Sequence, residues 1–308
     1  ELTTFVFGAS GIGIGTGLRS VEDGIIAGNI ATDCGNFGIF LEGQYNGAIS
    51  TGAKIIGNTV MWNNRGIGDY GTDGTIIAEN HILFNTTVGL KSGTAPFINP
   101  SQYARNGQYI NNIIKNTSNI AVYIESKELG QRIADNIISS DYGYLGSDGI
   151  KILLFSGATV KELKIENNTI YRFYSKGISL EPNDGSAKYE TVIISSNLIY
   201  DIGTSTLTKK PAILSNSNIA NYLITDNIAY DTRSIGSKTQ SYGLQISSGT
   251  IDSLSYWNNQ FKDNADGLDS LLGTITSYGS PNPQKGDVLY EGAFNIDSDF
   301  IRVNRWND

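Results

Sequence analysis

Glu125 and Glu181 each close a short run of the same kind, Ala121-Val-Tyr-Ile-Glu125 and Gly177-Ile-Ser-Leu-Glu181. Side chains alternate along a strand, so the two apolar residues in each run face inward and the third and fifth residues face outward. Stacked two strands apart, the glutamate backbones lie about 9.6 Å from one another, twice the ordinary strand spacing. Side-chain reach can bring two such carboxyls to the roughly 6.5–9.5 Å at which an acid and a base hold a water between them and hydrolyse a glycosidic bond. Lys151, on the strand between and one column over, is placed to steer an acidic group or to tune a carboxylate. Tyr123 and Ser179 complete the patch. Asp148, just before its own strand, and Asp184, in Glu181-Pro-Asn-Asp184-Gly, stand as substitute carboxylates.

The same residues suit a second chemistry. Elimination removes the proton α to a uronic carboxylate with a base such as Lys or Tyr, and Lys151 with Tyr123 would serve. Two aromatic groups, Tyr142 with Tyr144 and Tyr171 with Phe173 and Tyr174, sit near these runs in sequence. Rings with a polar handle suit sugar faces, and suit a subunit interface equally. His81, the single histidine, falls on an outward position of a different strand and reads as a structural surface residue.

The elements that must position these residues form a repeat. Nine asparagines recur in one setting, after a short apolar run and before a hydrophobic residue: Asn29, Asn58, Asn80, Asn112, Asn136, Asn168, Asn197, Asn227 and Asn259. Their spacing, 22 to 32 residues, is the period of a solenoid. Each is followed by a second element, a small residue and then an apolar one. The copies begin at Gly38, Gly66, Gly89, Ala121, Gly149, Gly177, Ala212, Gly243 and Gly267. One repeat therefore reads as strand, asparagine corner, strand, turn, glycine-led strand and variable loop.

Two or three short strands per coil, stacked on like strands of the next, make a parallel β-helix. The asparagines are expected inside the corner, their amides bonded along the stack. Aligning the glycine-led strands gives two outward columns. The first runs Phe40, Gly68, Lys91, Tyr123, Lys151, Ser179, Leu214, Gln245; the second runs Glu42, Tyr70, Gly93, Glu125, Leu153, Glu181, Asn216, Ser247.

The grammar Ile-x-x-Asn-x-Ile followed by Gly-Ile-x-Leu, from about residue 20 to about 270, resembles the pectate-lyase-like superfamily of right-handed parallel β-helices, most of all the tailspike depolymerase domains of bacteriophages. That resemblance implies an all-β, right-handed, single-stranded parallel β-helix of about nine to ten coils. It implies a polysaccharide substrate or receptor, a homotrimer, and an extracellular or virion-surface setting. Hydrolysis by Glu125 and Glu181 is the leading expectation, with Tyr123, Lys151, Ser179, Tyr142, Tyr144 and Tyr174 binding substrate. A non-catalytic glycan-binding spike module and a polysaccharide lyase are the alternatives. The pectate lyases of this fold bind calcium through an aspartate cluster beside a catalytic arginine; neither appears in the columns, and no metal or other cofactor is expected.

Residues 1–19, with Gly8, Gly11, Gly13, Gly15 and Gly17, read as an irregular N-terminal coil. Residues 271–308, punctuated by Pro281, Pro283 and Gly286, read as a C-terminal cap or the lead into a further module. The 308 residues carry a net charge of −8, which disfavours nucleic acid and anionic membrane as partners. No run of 18 apolar residues would insert in a membrane, and Glu1-Leu-Thr-Thr-Phe lacks the basic start of a signal peptide. Cys34, Met61 and His81 are each solitary, so a Cys/His metal site has no raw material. The Asn-x-Ser/Thr matches at Asn85, Asn116 and Asn167 are expected by chance in a chain this rich in Asn and Thr.

Overall fold

The computed structural model describes residues 10–14, 21–42, 49–93, 103–126, 130–141, 146–182, 184–204 and 206–278. Among these, all regular structure is β-strand. Among the described residues, three parallel sheets of ten, ten and nine strands extend from Ile12 to Ile275, with a two-stranded ribbon beside them. A coil passes through the second sheet, turns at the asparagine, crosses the third sheet and enters the first. Arg132–Ala134, Ile137–Ser139 and Asp148–Leu154 are one such passage. The expected parallel β-helix is therefore the fold.

The corner has a physical cause in the residue before each asparagine. Glu79, Asn111, Asp135, Asn167, Ser196 and Asp226 all adopt φ between 55° and 59°, the left-handed region that Gly, Asn and Asp tolerate best. That reversal aims the next side chain along the solenoid axis. The Asn80 amide donates to Asn112 Oδ1 at 3.0 Å, to Ala78 O at 2.8 Å and to Ile55 O at 2.9 Å. Its backbone N–H donates to the same Asn112 oxygen. Asn29 starts this ladder and Asn259 ends it. A shorter ladder joins Asn63 to Asn85 at the opposite corner, so Asn85 belongs to the scaffold; the spacing of the main ladder had hidden this second one.

The small residue of the second element is required by packing. A Cβ on Gly149 would lie 2.6 Å from Gly177 O and 2.6 Å from Ile170 Cγ2. It faces the core, as does the following Ile150, so strict alternation breaks here. Pairing accordingly runs Ile120↔Asp148 and then Val122↔Ile150, skipping the small residues. The consequence is a third outer column: Phe37, Arg65, Val88, Ile120, Asp148, Lys176. Phe37 stacks on Phe40 at 4.9 Å, which puts this column on the same face as the first.

The interior is apolar, with Ile150, Ile152, Leu154, Ile178 and Leu180 fully buried, each contributing about 1.5–3 kcal/mol. One polar cluster interrupts it. Asp69 is buried and accepts hydrogen bonds from Thr72 Oγ1 and, at 3.0 Å, from Tyr109 OH.

Strand stacking reaches both ends of the described residues. Ile12–Ile14, within the span expected to be irregular, is a regular strand paired with Ile39–Leu41. Stacking also continues past residue 270, through Thr274–Ile275 and a bridge between Leu254 and Tyr278. The stretch from Pro281 to Trp306 lies outside the described residues.

Candidate functional site

The outer face of the first sheet gathers the sequence candidates. Pairing places Lys91, Tyr123, Lys151, Ser179 and Leu214 in one unbroken column. Glu125, Leu153 and Glu181 occupy consecutive positions of the next. With Asp148 and Lys176 in the third column, three rows of side chains share five strands.

Two charge clusters form. In the first, Lys91 Nζ lies 3.2 Å from Glu125 Oε1 and over the rings of Tyr70 and Tyr123. Glu125 is buried, and its Oε2 has no partner. In the second, Glu181 is gripped by two lysines: Lys151 at 2.6 Å and Lys176 at 2.8 Å. Lys176 reaches across from the position directly beside Asp148. Asp148 is only 4% exposed, and its Oδ1 is also unpartnered.

The two carboxyls of the second cluster are displaced in opposite directions. Burial pushes Glu181 up, but the hydrogen bonds from Lys151 and Lys176 outweigh it and hold the group below its ordinary value. Burial raises Asp148, and Lys176 and Lys151 offset that only in part, while the Glu181 charge adds to it. A pair of titratable groups pushed apart by their surroundings supplies one acid and one base. Tyr123 is raised by burial, then by the charge of Glu125 and a hydrogen bond to it. It therefore stays protonated and serves as a donor.

Other candidates fall elsewhere. Ser179 holds its register but is fully buried, with an unpartnered Oγ, so it is no open substrate contact. Asp184 is exposed in a turn, where hydrogen bonds from Ser156 and Ser186 lower its pKa; the turn accounts for it. Tyr174 is exposed, and its N–H donates to Gly146 O. Phe173 is core, and Tyr171 stacks on Tyr200, which stacks in turn on Tyr230, along the third sheet. His81 is exposed on that sheet. Tyr142 and Tyr144 lie outside the described residues. Lys176 was missed from sequence; the available signal is that it precedes Gly177 as Asp148 precedes Gly149. Among the described residues no three His, Cys, Asp or Glu side chains gather as a metal site would need.

No family model and no curated protein matches the sequence. Among solved structures the chain is similar to the A-module of mannuronan C-5 epimerase AlgE6 of Azotobacter vinelandii, with 14% identity and a TM-score of 0.43 over 86% of this chain and 77% of that one. The AlgE4 A-module of the same organism gives 14% identity and a TM-score of 0.41, over 86% and 76%. The Dettilon tailspike protein (gp208) gives 13% and 0.42, over 83% of this chain and 61% of that chain. The three parallel sheets themselves establish the β-helix.

Proposed function

We propose that the outer face of the first sheet binds a polysaccharide and hydrolyses a glycosidic bond, with Asp148 as general acid and Glu181 as general base. The observation that carries this is their opposite displacement around shared Lys151 and Lys176. A protonated Asp148 can give its proton to a leaving oxygen while ionised Glu181 activates water on the other side. Glu125, tied to Lys91, takes the role of a substrate-positioning carboxylate, a change from the glutamate pair expected from sequence. Lys91 and Lys151 in one column and Lys176 in another favour an acidic sugar unit. The raised pKa of Tyr123 weighs against elimination with that residue as base, because elimination needs a deprotonated base.

The test is Asp148→Asn and Glu181→Gln, assayed for new reducing ends on a panel of bacterial surface polysaccharides. Both variants should lose about 10²–10⁴-fold in rate. Full activity in both, or an unsaturated product, overturns the assignment. A non-catalytic binding module is the second reading, favoured by Leu153 standing between the glutamates. It predicts glycan retention with no change in polymer size. Homotrimeric assembly and an extracellular or virion-surface setting belong to the same proposal and are supported by the repeat grammar; a monomeric mass in light scattering sinks the trimer.

A further inference from the structure

The last coils carry long connections between the third and first sheets, and a cavity of about 390 Å³ lies among them, lined by Thr206, Lys209, Ile235, Lys238 and Asn264. Ligand sites commonly run from about 300 to 1,000 Å³. The connections are locked together. Asp231, whose side chain is fully buried, accepts from Arg233 Nε at 2.6 Å and from the N–H groups of Thr239 and Gln240 at 2.7 and 2.9 Å. Arg233 also donates to Ile202 O and Gly203 O on the preceding connection. Gln240 donates to Asn264 on the following one at 2.7 Å.

Both cations of the lining are pre-positioned. Asp266 holds Lys209 Nζ at 2.5 Å, and Asp263 holds Lys238 Nζ through its backbone O at 2.5 Å and its carboxylate at 3.5 Å. An ammonium has three N–H donors, so each keeps donors for a ligand. Ile235 is 94% exposed on a connection that is otherwise pinned, and it offers the cavity an apolar surface.

We propose that this cavity is a second glycan site that takes a carboxylated sugar unit, its carboxylate between Lys209 and Lys238 and a ring face on Ile235. The proposal rests on the reading that the chain handles glycan, but not on cleavage. Calorimetric titration of hexagalacturonate and of hexasialic acid into the full chain tests it. At least one should bind. Lys209→Met/Lys238→Met should weaken that binding about tenfold or more, the loss of two charge-assisted contacts, and Lys209→Arg/Lys238→Arg should retain it. Ile235→Asp, at an exposed position the fold tolerates, should weaken it as well by repelling the carboxylate. Absence of binding to either probe, or equal binding by the wild type and both the Met and the Asp variants, overturns the proposal. If only the active-face proposal fails, no polysaccharide is cleaved and the calorimetry stands; if only the cavity fails, cleavage continues and the variants bind alike.

Discussion

Asp148 and Lys176 are direct partners on neighbouring strands of the first sheet, yet Lys176 gives its closest contact to Glu181, 2.8 Å from its ammonium. One lysine thus acts on both carboxyls. It helps lower the pKa of Glu181 and only partly offsets the burial that raises that of Asp148.

Removing that lysine should move the whole pH–rate profile. If Glu181 is the base, its pKa sets the acidic limb; if Asp148 is the acid, its pKa sets the alkaline limb. Lys176 lowers both, so Lys176→Met should shift both limbs to higher pH. A profile that only falls in height, with its limbs in place, contradicts the role given to Lys176.

Asp69 should make the fold sensitive to pH. Burial raises its pKa from 3.8 to about 6, against the hydrogen bonds from Thr72, Tyr109 and Thr75. The folded state therefore favours the protonated acid. Its contribution is full below about pH 4 and is lost as pH rises through about 6, amounting to about 3 kcal/mol. Urea midpoints measured from pH 4 to 7.5 should fall for the wild type and stay flatter for Asp69→Asn.

The asparagine ladder predicts a position-dependent stability cost. Asn136 donates to Tyr109 O, Ala134 O and Asn168 Oδ1, and accepts from Asn112. Asn136→Ala leaves several buried groups unpaired and should cost roughly 2–4 kcal/mol. Asn29, the first rung, should cost about 1 kcal/mol on the same grounds. Thermal unfolding of the two variants compares them; equal losses would mean that the ladder does not act as a cooperative stack.

The proposed roles of Glu125 and Glu181 can be told apart kinetically. If Glu125 positions substrate as proposed, Glu125→Gln should raise KM more than it lowers kcat, whereas Glu181→Gln should chiefly lower kcat. Steady-state kinetics on a cleaved glycan distinguishes them, and a kcat collapse in Glu125→Gln returns the original glutamate pair.

Period and alternation are local properties, and so the sequence by itself determined the β-helix, the asparagine corner and the two columns that carry Lys151, Glu125 and Glu181. Spacing from Asn136 and Asn168 was enough to align them, because stacked coils must keep register to bury Ile150 and Ile178. Tertiary structure alone decided the rest. Gly149 faces the core because the Gly177 carbonyl and Ile170 leave no room for a side chain, and that break in alternation brings Asp148 and Lys176 onto the outer face. Which lysine meets which carboxylate, and which carboxyl is buried deeply enough to have its pKa raised, depends on side chains meeting across coils about thirty residues apart. Ser179 and Asp184 show the same limit: correct parity did not reveal that one is sealed and the other held in a turn. Periodicity reports direction along one strand, while protonation and access are set by what the neighbouring coils place against it.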